Sequence, residues 1–515
     1  MKKSFSPYYF VAFLISAIAI EILFLYKSLG ISVLIFSVVA IILYEIGKAL
    51  FAEENKLNPY HLLLIPILFF SAGYAARADE FVLGWNTFAL VFLVPAYAIF
   101  SASPNFLRRF SGLEFFEGMV KSIAAPFDSL GAVLGRTFRF GKHSLNGKIL
   151  LKVILGLVIT IPVFSIVLSL LTSSDAIFAN ALDGIVELFI PDTFGELVGK
   201  ILLASFLSGL MWFVLSGQIE SKLLKESNFK IKFLDNISLD MIIPAILVYA
   251  LDIIYLLFTI VQFGYLFGGE EFVKNNDVIY SEYAVNGFWE MITVVLINFM
   301  VLYFVQTRFS LKSLTAKLIL VPAYVFTVFS SVVMLISSHS KLTLYESQYG
   351  FTKDRLIPHV FMIFVLAILL LSLLNLSFKD TIRRKVINIG TMVITVIFLM
   401  GLNLFSMETF IVKKNVEKFQ TEESVVDLDV KYLTELGTEG FVESRKYKNS
   451  PWLNAYFHES ELEGLIPFGL EDSFRSSYCG RNCFEDNIDL QVERSKARVE
   501  EGWQSWNYWH WELGK

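Results

Sequence analysis

Ionisable side chains inside apolar stretches are the residues of this chain most able to do chemistry. A charged group at the centre of a membrane costs at least about 2.5–3.5 kcal/mol on insertion scales, so it needs a partner, water or a function. Asp252 lies near the middle of one apolar stretch, Glu290 lies within the next, and His359 enters a later one. Glu21 and Glu45 lie closer to the ends of their stretches, where snorkelling to the interface is expected.

Two of these positions belong to polar stripes with helical spacing. The first stripe recurs at steps of three, four and three residues and comprises Asp252, Tyr255, Thr259 and Gln262. The second recurs at steps of four and comprises Glu282, Asn286 and Glu290. Such steps place each set on one face of its helix, and sequential helices joined by a short connection usually pack together. The pattern predicts a polar cleft between two neighbouring helices, open to the outside.

Cationic groups near a third helix favour the same cleft. Arg355 and His359 are one helical turn apart, and His339 lies in the loop expected before them. A cation here would neutralise Glu290 or bind an anionic ligand. The alternative is that all these polar groups form interhelical hydrogen bonds and ion pairs that fix the packing of the helices.

The only two cysteines, Cys479 and Cys483, lie close together in the polar tail. Outside the cytoplasm such thiols oxidise and persist as disulfides, so a Cys479–Cys483 disulfide is the main interpretation. A metal site would need His458 and His510 as further ligands, but their distance along the chain matches no zinc motif. We therefore predict neither a metal nor a cofactor.

These side chains must be positioned by membrane helices. Hydrophobic residues make up 55% of the 515-residue chain and charged residues 18%, which is too apolar for a soluble protein of this size. A spanning helix needs about 20 mostly apolar residues. Such stretches occupy residues 8–26, 31–50, 60–76, 81–100, 149–171, 200–217, 240–263, 284–305, 317–338, 356–374 and 386–406. The fold class is thus all-α, a polytopic transmembrane helical bundle of about 11 spans.

Charge sets the expected orientation. With the N-terminus inside the cell, Lys and Arg concentrate in the inner loops, as the positive-inside rule requires. Eleven spans then place residues 408–515 outside, as a small, mainly helical extracytoplasmic domain that follows the membrane domain of residues 1–407. The protein is expected in the cytoplasmic membrane. Four tryptophans near its C-terminus are expected either in the core of the tail, in a belt on the outer leaflet, or in a platform for sugars or peptides.

The segment of residues 101–148 and the C-terminal tail suggest partners for the protein. Residues 101–148 alternate basic and apolar side chains, which is typical of an amphipathic segment on the inner surface of the bilayer. The tail holds 13 Lys and Arg against 21 Asp and Glu, and an acidic tail argues against nucleic acid. The lipid bilayer is the expected partner, together with a small molecule, an ion or an envelope protein.

Several short stretches resemble a known family. They are "VQFGYLFGG" (261–269), "YSEYAVNGFWEM" (280–291), "YGFTKDR" (349–355), "VDLDVKYLTELG" (426–437) and "GWQSWN" (502–507). In this order they resemble the bacterial multi-pass membrane families that carry the domains of unknown function 4153 and 4173. The resemblance implies an integral membrane protein with an extracytoplasmic C-terminal part, and it brings no catalytic residues.

The sequence favours a non-catalytic role in sensing, scaffolding or envelope assembly, with the outward-facing cleft between the seventh, eighth and tenth stretches. A transporter or permease for a small solute or ion is the alternative, although we find no internal repeat. A membrane-embedded glycosyltransferase is the second alternative, with Asp79 and Glu80 as the available early outer carboxylates. No phosphate-binding glycine loop, nucleophile elbow or zinc-helix motif occurs. The balance is against an enzyme, and we name no catalytic residue.

Overall fold

The protein is described here by a computed structural model. It describes residues 7–24, 27–51, 59–102, 248–249, 251–253, 255–256, 294–295, 297–303, 314–378, 380–420, 429–453 and 481–515. Regular structure within these segments is helical, with short 3₁₀ turns and no strand.

The helices fall into three groups along the chain. The first comprises α1 (Pro7–Phe24), α2 (Ile31–Phe51), α3 (Leu64–Ala76), which a 3₁₀ turn at Pro59–Leu63 precedes, and α4 (Glu80–Ala102). The second comprises α5 (Leu314–Tyr349), α6 (Lys353–Asn375) and α7 (Asp380–Leu404). The C-terminal helices are α8 (Met407–Gln420), α9 (Val430–Glu435), α10 (Thr438–Arg445), α11 (Arg481–Glu500) and α12 (Tyr508–Gly514).

Six of these helices are long and apolar enough to cross a membrane. They are α2, α3 with its 3₁₀ turn, α4, α5, α6 and α7. Each overlaps one of the predicted stretches, so the all-helical membrane fold is confirmed at this level. The stretches 149–171 and 200–217 and the basic segment 101–148 lie outside the described residues, apart from residues 101–102, and the stretches 240–263 and 284–305 are described only in part. The total of about eleven spans stays a prediction.

The chain folds into two compact units, one of residues 1–68, 90–107 and 117–227, the other of residues 69–89, 108–116 and 228–515. In the first unit, Glu45 is one of the carboxylates expected to snorkel. It accepts hydrogen bonds from Tyr97 and from Lys48, the latter at 3.0 Å. Lys48 is almost completely buried and also contacts His61 at 3.1 Å. The carboxylate of Glu45 is therefore paired within this unit.

In the second unit, α5 includes most of the residues that were expected to form a loop between the ninth and tenth stretches, so that prediction is wrong. Its 36 residues form a rod about 54 Å long, well beyond the ~30 Å hydrocarbon layer. The apolar run ends near residue 338. Residues 339–349 contain neither Gly nor Pro, so the helix continues beyond the apolar run. Gly350 ends the helix with φ 77°, and its N–H donates to the Glu346 carbonyl at 2.9 Å.

The C-terminal helices share one apolar core with the membrane helices. Its buried members in the C-terminal helices include Met407, Ile411, Val412, Leu433, Phe441, Ile488 and Leu513. Val82 of α4 and Leu356 of α6 belong to the same cluster. The C-terminal helices are thus packed directly on the ends of α4 and α6.

A buried amide pair joins α4 to α7. Asn86 donates to the Asn403 side-chain oxygen at 2.8 Å, and Asn403 donates back to Asn86 at 2.7 Å. A Cβ added to Gly73 of α3 would lie 2.6 Å from the Asn403 amide oxygen and even closer to Asn86. Gly73 therefore allows α3 to approach the amide pair, which is the role of small residues in membrane helix packing.

We predict that Gly73→Ala destabilises the protein because the new methyl group displaces the amide pair. Overpacking of this kind costs about 1–3 kcal/mol in unfolding free energy. Gly84→Ala is the matched control, because a Cβ at Gly84 meets no atom within 4 Å. Thermal unfolding of the purified variants checks the difference, and equal stability of the two variants would contradict this account of Gly73.

Candidate functional site

A buried ion pair connects the α3–α4 turn to α10. Arg77 Nε donates to Glu439 Oε1 at 2.8 Å, and Arg77 Nη2 donates to Glu439 Oε2 at 2.7 Å. Both side chains are nearly or fully buried, at 5% and 0% exposure. Arg77 Nη1 also donates to the carbonyls of Leu402, Asn403 and Phe405 at 2.7–3.1 Å. One guanidinium thus binds α10 and caps the C-terminal end of α7, whose last carbonyls lack helical partners.

A second charged group lies beside this pair. Lys353, the first residue of α6, donates to Glu408 of α8 and contacts Asp79 Oδ1 at 3.4 Å. Glu408 also accepts the backbone N–H groups of Gly437 and Gly440, each at 3.0 Å. A Cβ at Gly437 would lie 2.5 Å from the Glu408 carboxylate, so this contact requires glycine. We call Arg77, Asp79, Lys353, Glu408 and Glu439 the ionic cluster.

The ionic cluster holds three carboxylates and two cations. Asp79 Oδ2 is buried and has no hydrogen-bond partner among the described residues. Burial raises the pKa of Glu408, and the Lys353 ammonium offsets part of that rise. Folding therefore favours the protonated form of Glu408 relative to the unfolded chain, and the stability that this proton contributes is lost as the pH rises through the raised pKa of Glu408.

Asn507 makes a third connection to the same turn. Its side-chain oxygen accepts the N–H groups of Trp509 at 3.0 Å and His510 at 3.4 Å, which caps α12. Its amide nitrogen donates to the carbonyls of Tyr74 at 2.8 Å and Arg77 at 2.7 Å. The single buried amide of Asn507 therefore caps α12 and binds α12 to the end of α3.

A half-polar cavity of about 100 Å³ lies where the α5–α6 turn meets α8 and α9. We call it the junction pocket. Its walls are residues 349–352 and Arg355 on one side, and Asn415, Lys418, Phe419, Asp429 and Tyr432 on the other. The Tyr432 hydroxyl accepts the Lys353 N–H at 2.8 Å, and Asn415 makes paired hydrogen bonds with the Phe351 backbone.

Both cations of the junction pocket cap the end of α5. Arg355 Nη1 donates to the carbonyls of Tyr349 and Gly350, and its guanidinium lies 4.2 Å from the centre of the Tyr345 ring. Lys418 Nζ donates to the carbonyls of Glu346 at 2.9 Å and Ser347 at 2.6 Å. Burial and the nearby Arg355 guanidinium lower the pKa of Lys418, so the pocket would be electrostatically relieved by an anion.

The structure places His359 in a chain of contacts beside this pocket. His359 Nε2 lies 3.1 Å from Glu346 Oε2, and His359 Nδ1 lies 2.9 Å from His339 Nδ1. His339 therefore contacts His359, and Arg355 lies one turn before His359 on α6. Glu346, rather than Glu290, is the carboxylate next to His359 in the described part of the chain. No group of His, Cys, Asp and Glu among the described residues could hold a metal ion.

The seventh-stretch residues Asp252 and Tyr255 make interhelical contacts. Asp252 is 7% exposed and accepts a hydrogen bond from Thr327 of α5 at 2.7 Å. The Tyr255 hydroxyl donates to Asn298, which donates to Ser331 at 2.9 Å. These bonds match the packing alternative for the polar stripe, and they join the seventh and eighth stretches to α5.

Most of the remaining predicted residues lie outside the described part of the chain. The residues outside the described segments are Thr259, Gln262, Glu282, Asn286, Glu290, His458 and Cys479. Cys483 belongs to α11, and the disulfide stays a prediction. His510 contacts Ser495 at 3.1 Å, and burial with the nearby Arg498 guanidinium lowers its pKa to about 4.

Comparison with protein families gives one match. The family described as a domain of unknown function, DUF4153, matches residues 64–446, which is most of the chain. The chain belongs to the DUF4153 family. No curated protein and no solved structure matches it.

The DUF4153 region begins at the first residue of α3 and ends one residue after α10. It contains the whole ionic cluster and the junction pocket, whereas Asn507 and the last tryptophans lie beyond it. The sequence offered one signal for the cluster. Charged residues lie within three residues of the ends of three apolar stretches on the same expected side, at Arg77, Lys353 and Glu408.

We predict that Glu439→Gln lowers the unfolding free energy by about 3–5 kcal/mol, because it leaves the buried Arg77 charge without its partner. The matched control is Glu417→Gln, whose pair with Lys414 is exposed. A surface substitution of this kind changes stability by no more than about 0.5 kcal/mol. Thermal unfolding in detergent checks both variants, and similar losses would show that Arg77 and Glu439 are not coupled.

Proposed function

We propose that this DUF4153 protein is a non-catalytic sensing protein of the cytoplasmic membrane. In this proposal about eleven helices span the bilayer, the N-terminus is cytoplasmic, and the C-terminal helices form an extracytoplasmic domain. The junction pocket is the outward-facing polar site, and its ligand is a small solute with an anionic group.

The composition of the pocket walls supports a sensing role. One wall belongs to the α5–α6 turn at the end of two membrane helices, and the other belongs to α8 and α9 of the C-terminal helices. A ligand in this pocket would contact both walls at once. A ligand shifts a conformational equilibrium when its affinity for the two conformations differs. A ligand bound to both walls would therefore change how the α5–α6 turn and the C-terminal helices move relative to each other.

The ionic cluster supports transmission of that signal. Lys353 follows the pocket residue Thr352 directly and carries the ammonium that pairs with Glu408. The Lys353 N–H is bound by Tyr432, which lines the pocket. A displacement of the α5–α6 turn therefore acts on the buried charges that join α8 to the membrane helices.

Charge favours an anionic group as the ligand. The pocket contains Arg355 and Lys418 against the single carboxylate of Asp429, which is engaged as the N-cap of α9. Guanidinium and ammonium groups bind carboxylates and phosphates through charge-assisted hydrogen bonds. Phe351, Phe419 and Tyr432 supply apolar wall area for the remainder of a small solute.

We predict that inorganic phosphate raises the thermal stability of the full-length protein in nanodiscs beyond the effect of sodium chloride at equal ionic strength. A ligand at about 100 times its dissociation constant adds about 2.7 kcal/mol to folding stability. Lys418→Gln should abolish the phosphate response, because the amide keeps a donor for the α5 carbonyls while the charge is removed.

Lys414→Gln is the matched control for this experiment. Lys414 lies one turn before Lys418 on α8 and forms an exposed pair with Glu417. The control should respond to phosphate as the natural protein does. A phosphate response that both variants lose equally, or that neither loses, would count against the junction pocket as the site.

One observation favours transport as a second candidate function. Asp252 is a buried carboxylate in an apolar stretch, and buried intramembrane carboxylates often mark proton or ion pathways. The glycosyltransferase alternative loses support, because Asp79 is buried in the ionic cluster and bound to Lys353.

The transport candidate predicts a proton flux that depends on Asp252. Proteoliposomes containing a pH-sensitive dye should acidify when a proton gradient is applied, and Asp252→Asn should remove the flux while its amide oxygen keeps the bond to Thr327. The sensing proposal predicts no protein-dependent flux from either protein. A flux that Asp252→Asn abolishes would favour transport over sensing.

A further inference from the structure

Aromatic side chains near the C-terminus face outward. Trp503, Trp506, Tyr508 and Trp511 are 57%, 37%, 43% and 39% exposed. The core interpretation of the tail tryptophans is therefore wrong for the three tryptophans in this set. The core of the C-terminal helices is built from aliphatic side chains and Phe441 and Phe484 instead. We call the four exposed residues the aromatic patch.

Hydrogen bonds hold the aromatic patch at a defined position along the membrane helices. Asn507, in the middle of the patch, donates to the carbonyls of Tyr74 in the last turn of α3 and of Arg77 just after it. Because α3 is a candidate membrane span that ends at Ala76, the patch lies at the end of that span.

A second group of exposed aromatic side chains lies near the N-terminal end of α4. Trp85 and Phe88 are 40% and 51% exposed and lie within the first three turns of this candidate span. The Trp85 ring packs edge-on against Phe81 and Phe88, with ring centres 6.3 and 5.6 Å apart. Tryptophan and tyrosine are enriched where membrane spans enter the headgroup layer, because their rings are apolar and their N–H and O–H groups are polar.

We infer that the aromatic patch is a lipid-binding surface that inserts into the headgroup layer on the side of the C-terminal helices. Trp503, Trp506 and Trp511 contribute apolar ring area to this layer, and their indole N–H groups bind lipid carbonyls or water. Lys515, whose ammonium lies 3.3 Å from the centre of the Trp511 ring, adds a cation near the lipid phosphates. The occupant is the bilayer rather than a soluble sugar or peptide, because Asn507 fixes the patch at the end of a span.

Tryptophan quenching by brominated lipids tests this inference. The full-length protein is reconstituted in phosphatidylcholine bilayers with bromines near the headgroup end of the acyl chain or near the chain terminus. The Trp503→Phe, Trp506→Phe, Trp511→Phe triple variant isolates the emission of the patch by difference. We expect most of that emission to be lost with the shallow bromines and much less with the deep bromines.

Two further variants control the experiment. Trp452→Phe removes a tryptophan that packs against Phe419 and Tyr447, so its difference emission should be insensitive to brominated lipid. Asn507→Asp keeps the cap acceptor of α12 but removes the donors to α3, and it should reduce the quenching of the patch. Emission quenched by aqueous iodide and not by either brominated lipid would overturn the inference and leave the patch to a soluble partner.

Discussion

The ion pair between Arg77 and Glu439 is the contact on which the second compact unit depends. Its guanidinium binds the end of α7 and the start of α10 from a three-residue turn between two candidate spans. Removing one member of a buried pair leaves an uncompensated charge, whereas an apolar replacement of both is often tolerated. The main role of the Arg77–Glu439 pair is therefore to position the C-terminal helices. It sets where the C-terminal helices sit on α3, α4 and α7, and Lys353, Glu408 and Asn507 add contacts to the same location.

This position brings several features to one end of the membrane helices. The junction pocket lies at the α5–α6 turn, the histidine and glutamate contacts lie beside it, and the aromatic patch lies at the end of α3. The junction pocket is also connected to the ionic cluster through the backbone, because Thr352 of the pocket precedes Lys353 of the cluster. Under the proposed sensing function, a ligand, a proton and the lipid surface would therefore act on neighbouring parts of one packed structure.

Hydropathy and length were sufficient to predict the six candidate spans of the described residues, because a helix in lipid must be apolar over a fixed number of residues. They failed at α5, where the helix leaves the apolar run and continues to Tyr349, because residues 339–349 are polar but contain no Gly or Pro that would end the helix. Helical spacing predicted that Asp252 and Tyr255 share a face, and it could not identify Thr327 and Asn298 as their partners. The charges near the span ends were visible in the sequence, but their pairing was not, because 362 residues separate Arg77 from Glu439 and no local pattern connects them.

That separation has a consequence for biogenesis. The α3–α4 hairpin is synthesised early, with Arg77 and Asp79 in its turn, while the segment that neutralises Arg77 leaves the ribosome 362 residues later. At ~5–20 residues per second this interval is about 20–70 s. During it the charged turn has to remain in water or be held by an insertion factor, and Asn507 can bind this turn only after a further 68 residues have been made. A truncated chain would thus leave an incompletely assembled hairpin that membrane quality control can recognise.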